Sequence, residues 1–180
     1  MLMGTGYTVI RLLGCLMVFF GCTAMGLKCS AKLKARQLAL QKFRDILLFL
    51  ENEMCVMGKP LNKAFESLGK GNYGGVWVPL FNRSGSLLQE QILDAGNAWR
   101  IALEETAAAL PLAQEDIDLL RDFGELLGKS DRDMQHAVLA MEKEKVSALE
   151  RKAKEEAETT GKLYRNLGAL LGAAAVILLI

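Results

Sequence analysis

Phosphate chemistry is the first possibility the chain offers. The stretch GELLGKS, residues 124–130, sets Gly124 ahead of Gly128-Lys129-Ser130. That approximates G-x-x-x-x-G-K followed by Ser or Thr, in which loop amides wrap phosphates and the lysine reaches the outer phosphoryl oxygens. The count is one short, with three residues between the glycines instead of four. A phosphate loop of this kind also follows a buried strand, whereas DIDLLRDF upstream has helical spacing and no β-branched run. A nucleotide-binding subunit using Lys129 is therefore carried only as an alternative.

Other chemistry finds no constellation. Asp131 and Asp133 stand two apart, so on a helix they point in nearly opposite directions and cannot share an ion. No calcium-loop spacing surrounds them. His136 is the sole histidine and has no Cys or His partner close in sequence. No catalytic, cofactor-binding or metal site is expected.

A helix corner accounts better for the same glycines. Gly128 lies just past an apolar periodic segment, where helices often close on a left-handed glycine. Ser130 or Asp131 can then cap the next helix, and acidic Asp131 and Asp133 suit its N-terminus. Gly124, one turn earlier, leaves room for another helix to approach.

The elements that must hold this corner come next. With 180 residues there is room for one domain, and a net charge of +1 gives no global argument for nucleic acid. Leu12–Leu27 and Asn166–Ile180 carry no charged residue. With their neighbours they predict transmembrane helices over 9–27 and 163–180, although the last 14 residues reach only about 21 Å of a core about 30 Å thick. A cleaved signal fits poorly, because only Arg11 precedes the apolar core and twelve uncharged residues follow Cys15. Lys28, Lys32, Lys34 and Arg36 flank the first run, and Lys162 and Arg165 the second. The positive-inside rule then puts residues 28–162 in the cytoplasm; an exported, membrane-anchored domain is the opposing reading. Cys15, Cys22 and Cys29 recur every seven residues beside Gly14, Gly21 and Gly26, a small-residue packing face. Gly168-x-x-x-Gly172 is a comparable close-approach pattern in the second run.

The middle reads as an all-α antiparallel helical bundle. Leu40, Phe43, Leu47, Leu50, Met54 and Met57 mark one face of a long helix, ended at Gly58. Pro60 starts a short helix with Leu61, Ala64, Phe65 and Leu68. Residues 69–86, rich in glycine and interrupted by Pro79, predict a flexible extended loop in which Tyr73, Trp77 and Phe81 either form an interaction surface or lid the core. Helical spacing resumes from Leu88 through Ile92, Ala95, Trp99, Leu103 and Leu110 to Pro111, then through Ile117, Leu120, Phe123 and Leu127. From Asp131 one helix runs onward into the second apolar run, with Val138, Met141, Val146, Leu149, Ala153 and Ala157 inward and Glu150–Lys154 as an i,i+4 pair. No strand–helix alternation occurs, which removes support for an α/β nucleotide fold.

LRDFGELLGKSDRDMQ (Leu120–Gln135), the ENEM…KPLNKAF region (Glu51–Phe65) and the Ala98-Trp99 pair resemble the stage III sporulation protein AB family of endospore-forming bacteria. The resemblance spans nearly the whole chain; the Gly/Trp-rich loop and the cysteines around the first anchor depart from the family pattern. It implies a helical domain similar to the cytoplasmic domains of the F component of type II secretion and type IV pilus platforms. It also implies a non-enzymatic scaffold in the outer forespore membrane, its soluble domain facing the mother-cell cytoplasm. The implied partners are the hexameric ATPase stage III sporulation protein AA and ring-forming channel components, and the family leaves room for a homo-oligomer. Phe123, Gly124, Gly128, Ser130, Asp131 and Gln135 would then build the structural corner.

Overall fold

A computed structural model describes the backbone of residues 2–71, 73–90, 93–129 and 132–179, and the side chains of 13–71, 73–90, 93–127, 134 and 136–177. Among these residues the chain is helical throughout, without strands. Helix α1 (Leu2–Glu51) passes into a π-helical turn (Asn52–Val56). Then come α2 (Leu61–Lys70), a 3-10 turn (Gly75–Trp77) and α3 (Val78–Gln89). After α4 (Ala95–Thr106) and a second 3-10 turn (Ala107–Ala109), α5 (Gln114–Lys129) and α6 (Arg132–Leu179) complete the chain. Two compact units result, one of residues 36–152 and one of 1–35 with 153–180.

The 36–152 unit is a bundle with an aromatic centre. Leu40, Phe43, Ile46, Leu47 and Leu50 of α1 recur at steps of three and four and are all buried. Phe43 meets Trp77, Trp99 and Phe123 at ring-centroid distances of 4.7, 6.4 and 6.1 Å. Met54 is buried, but Met57 is 60% exposed, contrary to its expected place on the core face. The π turn explains this: its i→i+5 hydrogen bonds add a residue per turn and rotate the next residues off the α-helical stripe. Gly58, at φ 66°, ends the segment in the left-handed region, as its position implied.

Of the expected loop over 69–86, Gly69 and Lys70 end α2, Gly75–Trp77 form the 3-10 turn and residues 78–86 belong to α3. Pro79 reads as a breaker in the sequence, yet it sits in the first turn of α3, where proline's fixed φ is helical and its missing N–H costs nothing. Gly75, at φ 56°, supplies the left-handed residue that lets the chain turn there. Trp77 and Phe81 are fully buried, and Trp77 Nε1 donates to the Ala39 carbonyl at 3.0 Å. These two lid the core, while Tyr73 stays 42% exposed under the Lys42 ammonium.

The periodicity from Leu88 to Leu110 spans two helices. Leu88 closes α3, Ile92 lies outside the described residues, and Asp94 opens α4 by accepting from Asn97 N at 2.8 Å. On α6, Val138, Val146 and Ala153 are buried as expected, whereas Met141 is 44% exposed. Glu150 pairs with Arg44 of α1 at 2.6 Å, so a tertiary partner takes the carboxylate assigned to Lys154.

The unit of 1–35 and 153–180 is an antiparallel helix pair. A Cβ on Gly26 would stand 2.5 Å from Tyr164 O and 3.2 Å from Gly168 Cα. One on Gly168 would stand 2.9 Å from Cys22 O, and one on Gly172 3.2 Å from Phe19 O. Both Gly168 and Gly172 thus pack backbone against backbone, the close approach that small residues permit. Leu16, Met17, Phe20, Leu170, Leu171 and Ile177 face outward. One described helical stretch, Leu13–Val56, is long and apolar enough to cross a membrane. Cys15 is buried, Cys22 part-buried and Cys29 exposed, all as free thiols. Burial falls along the repeat, while its drift of roughly 20° per step keeps the three on one side of the helix.

Candidate functional site

The corner residues fall into two groups. Phe123 and Gly124 are buried in α5 and packed on Trp99 of α4. A Cβ at 124 would run into Trp99 Cδ1 and lie 3.1 Å from Cγ. The indole Nε1 donates to Leu120 O at 2.7 Å, one turn before Gly124, and its ring meets Phe123 edge-on with centroids 5.3 Å apart. The Ala98-Trp99 pair and the Phe123-Gly124 pair, 25 positions apart in sequence, are therefore one packing unit. Gly128 belongs to α5 itself, which runs on to Lys129, so the helix stop falls later than the sequence suggested. Ser130 and Asp131 lie outside the described residues, as does the Gln135 side chain. Continuous helix from Gly124 to Lys129 commits its amides to intrahelical hydrogen bonds, which leaves none to wrap a phosphate.

Sequence reading missed the ionic centre of the bundle. Arg36, by its sequence position a membrane-flanking cation, is 7% exposed and fully engaged. Its Nε and Nη2 donate to Asp116 Oδ2 and Oδ1 at 2.7 and 2.8 Å, and Nη2 also reaches Glu115 Oε1 at 2.6 Å. Asp116 Oδ2 accepts from Ala113 N at 2.8 Å, so the same carboxylate caps the start of α5. Lys152 Nζ holds the other side of Glu115 at 2.7 Å. Hydrogen bonds from Lys152 first, then Arg36, keep the Glu115 carboxyl below the usual range. No spacing signal links Arg36 to Asp116 across 80 residues.

A second ionic tie closes the far end of α1. Glu51 accepts from Lys143 at 2.9 Å and stands 3.1 Å from Nε2 of the exposed His136. The thiol of nearby Cys55 is pushed up by burial, and further by the Glu51 charge.

Between α5 and α6 runs a groove of about 510 Å³ lined by Glu115, Asp118, Leu119, Asp122, Lys145, Ala148 and Leu149. Its floor is apolar and its α5 wall acidic. Lys145 is neutralised by Glu142 at 2.7 Å. Glu142 is fully buried, and its Oε2 has no hydrogen-bond partner among the described residues. Asp118 is shared with Arg121 at 2.9 Å; Asp122 makes no ion pair among the described residues. The 36–152 unit as a whole carries 15 basic and 18 acidic residues, a net charge of −3. No group of three or more potential ligand side chains is placed to hold a metal ion among the described residues.

The chain is similar to known proteins. The family model described as stage III sporulation protein AB matches residues 11–180. Stage III sporulation protein AB of Bacillus subtilis (strain 168) is 26% identical over 171 residues, spanning 95% of this chain and 99% of that protein. A solved structure of a stage III sporulation protein AB superposes with a TM-score of 0.60 at 25% identity, covering 68% of this chain and 96% of the other. With an all-helical bundle and a family-model match over residues 11–180, the chain belongs to the stage III sporulation protein AB family and has a role in sporulation.

Proposed function

We propose that the chain is a non-enzymatic membrane platform in endospore formation. The bundle 36–152 faces the mother-cell cytoplasm, and segments 9–27 and 163–180 hold it in the outer forespore membrane. There it couples a stage III sporulation protein AA-like ATPase to ring-forming channel components. The observation that carries this reading is the glycine-lined pairing of Gly26 with Gly168, beside outward-facing Leu16, Phe20, Leu170 and Leu171. A pair packed backbone to backbone with an apolar exterior suits hydrocarbon. The acidic α5–α6 groove suits a basic, amphipathic segment of the ATPase, with an apolar anchor over Leu119 and Leu149.

Crosslinked co-purification from sporulating cells should recover the ATPase with this chain. Charge-reversed Asp118→Lys/Asp122→Lys should reduce that recovery while leaving the protein in the membrane. Lys63, 62% exposed on α2, provides the topology probe. A Lys63→Cys thiol, in a background lacking the native cysteines, should label with membrane-impermeant maleimide only after the mother-cell membrane is opened. A thiol that stays unlabelled once the mother-cell membrane alone is opened would sink the platform reading.

A further inference from the structure

Around its glycine contacts the helix pair carries only cationic side chains. Residues 1–35 and 159–180 contain no acidic side chain, yet Arg11, Lys28, Lys32, Lys34, Lys162 and Arg165 fall within them. Register is fixed by two contacts: Gly26 against Tyr164 and Gly168, and Ser30 against Gly161. Lys28 lies between these contacts on α1, and Lys162 and Arg165 occupy the matching stretch of α6. At 1.5 Å per residue, these three cations share a slab of the pair about 5 Å deep. All three are exposed, and none makes an ion pair among the described residues. Glu155, Glu156 and Glu158 enter only at the level of Lys32 and Lys34, further toward the middle of the chain.

The surroundings identify the class of anion. Leu27, Leu163 and Leu167 stand 48%, 54% and 42% exposed beside the cations, and Tyr164 is 42% exposed among them. A nucleic acid or a soluble anion would satisfy the charge and leave these side chains in water. A ligand that joins a phosphate to hydrocarbon satisfies both. Tyrosine favours the same boundary layer, and an arginine fork matches a phosphodiester's oxygens.

Resting on the membrane reading above, we propose that Lys28, Lys162, Tyr164 and Arg165 form a collar that binds the headgroups of anionic phospholipids and selects them over zwitterionic ones. The collar sits at one membrane face. It therefore also fixes how deeply the helix pair rides in the bilayer.

The test uses the full-length protein reconstituted into bilayers of equal phosphatidylglycerol and phosphatidylcholine. Native discs are then cut out with a solubilising polymer, and the lipids retained with the protein are quantified. Since a cation near an anionic surface contributes on the order of 1 kcal/mol, phosphatidylglycerol should be enriched about fivefold or more. Lys28→Gln/Lys162→Gln/Arg165→Gln should return the ratio to about one, while Lys28→Arg/Lys162→Arg should preserve it. Helix content and melting of each variant establish that it is folded. Resistance to alkaline extraction reads insertion separately. A protein that resists extraction without enriching phosphatidylglycerol overturns the collar and leaves the membrane reading standing; a protein that is extracted overturns both. Selectivity abolished by millimolar inorganic phosphate would mark a plain phosphate site and also overturn the lipid assignment.

Discussion

Trp99 occupies the space into which a side chain at residue 124 would project. Its indole turns the Cδ1 edge toward Gly124, donates to Leu120 O at 2.7 Å and is fully buried between Phe43, Phe65, Phe81 and Phe123. Glycine at 124 lets α4 and α5 approach closely enough for one ring to fill the centre of the bundle.

Gly124→Ala should therefore destabilise the fold, although alanine is the better helix former. Overpacking costs about 1–3 kcal/mol, and the propensity gain returns at most about 1. Gly21→Ala is the control, because nothing lies within 4 Å of a Cβ there. Thermal melts should show a clear drop for the first and no drop for the second, which gains about 1 kcal/mol of helix propensity at most.

Arg36→Met should be among the most damaging single changes in the bundle. It leaves Asp116, whose side chain has no exposure, charged and stripped of its two-pronged partner. Breaking a buried pair in this way costs about 3–5 kcal/mol. Arg44→Met, by comparison, removes a part-exposed bond to Glu150 and should cost about 1 kcal/mol or less. Denaturant midpoints for both variants decide the order.

Acid should weaken the protein through carboxylates tied to cations and amides. Glu115, held by Lys152 and Arg36, Glu105, held by Arg83, and Asp94, held by Asn97 N–H, all keep their protons off to lower pH than in an unfolded chain. The unfolded chain takes up protons first as pH falls below about 4, so this stability is complete above the ordinary carboxylate range and is lost on descent through the lowered native values. Melting temperature should fall over that window, with a shallower slope in Glu115→Gln. A rise on acidification would contradict the assignment.

Gly168→Leu should force the terminal helix pair apart. Its side chain would meet Cys22 O and the Gly26 backbone, neither of which can move aside without moving α1. Spin labels at Leu13→Cys and Ile177→Cys, both exposed positions, report the separation once the native cysteines are replaced. The distance distribution should be narrow with glycine at 168, and longer and broader with leucine.

Much of the fold was legible because helices write their buried faces in local spacing. The steps Phe43–Leu47–Leu50 and Leu120–Phe123–Leu127 sit on the core. Gly58 stops its segment where its position said it would. Errors arose where one local signal fits two structures. Pro79 marks a breaker in a loop and a first turn in a helix, and nothing in GNYGGVWVPLF alone separates them. Burial of Trp77 against Phe43 and Ala39 does.

By itself, the sequence determined the all-helical class, the family resemblance and the reading of GELLGKS as helix geometry, since each depends on residues within a few turns of one another. Only tertiary structure decided that Arg36 belongs to a buried ion network, that Glu150 answers Arg44, and that Trp99 fills the notch at Gly124. Those pairs lie 80, 106 and 25 residues apart. Periodicity states which face of a helix turns inward; the partner it meets there is set by packing, which no local pattern encodes.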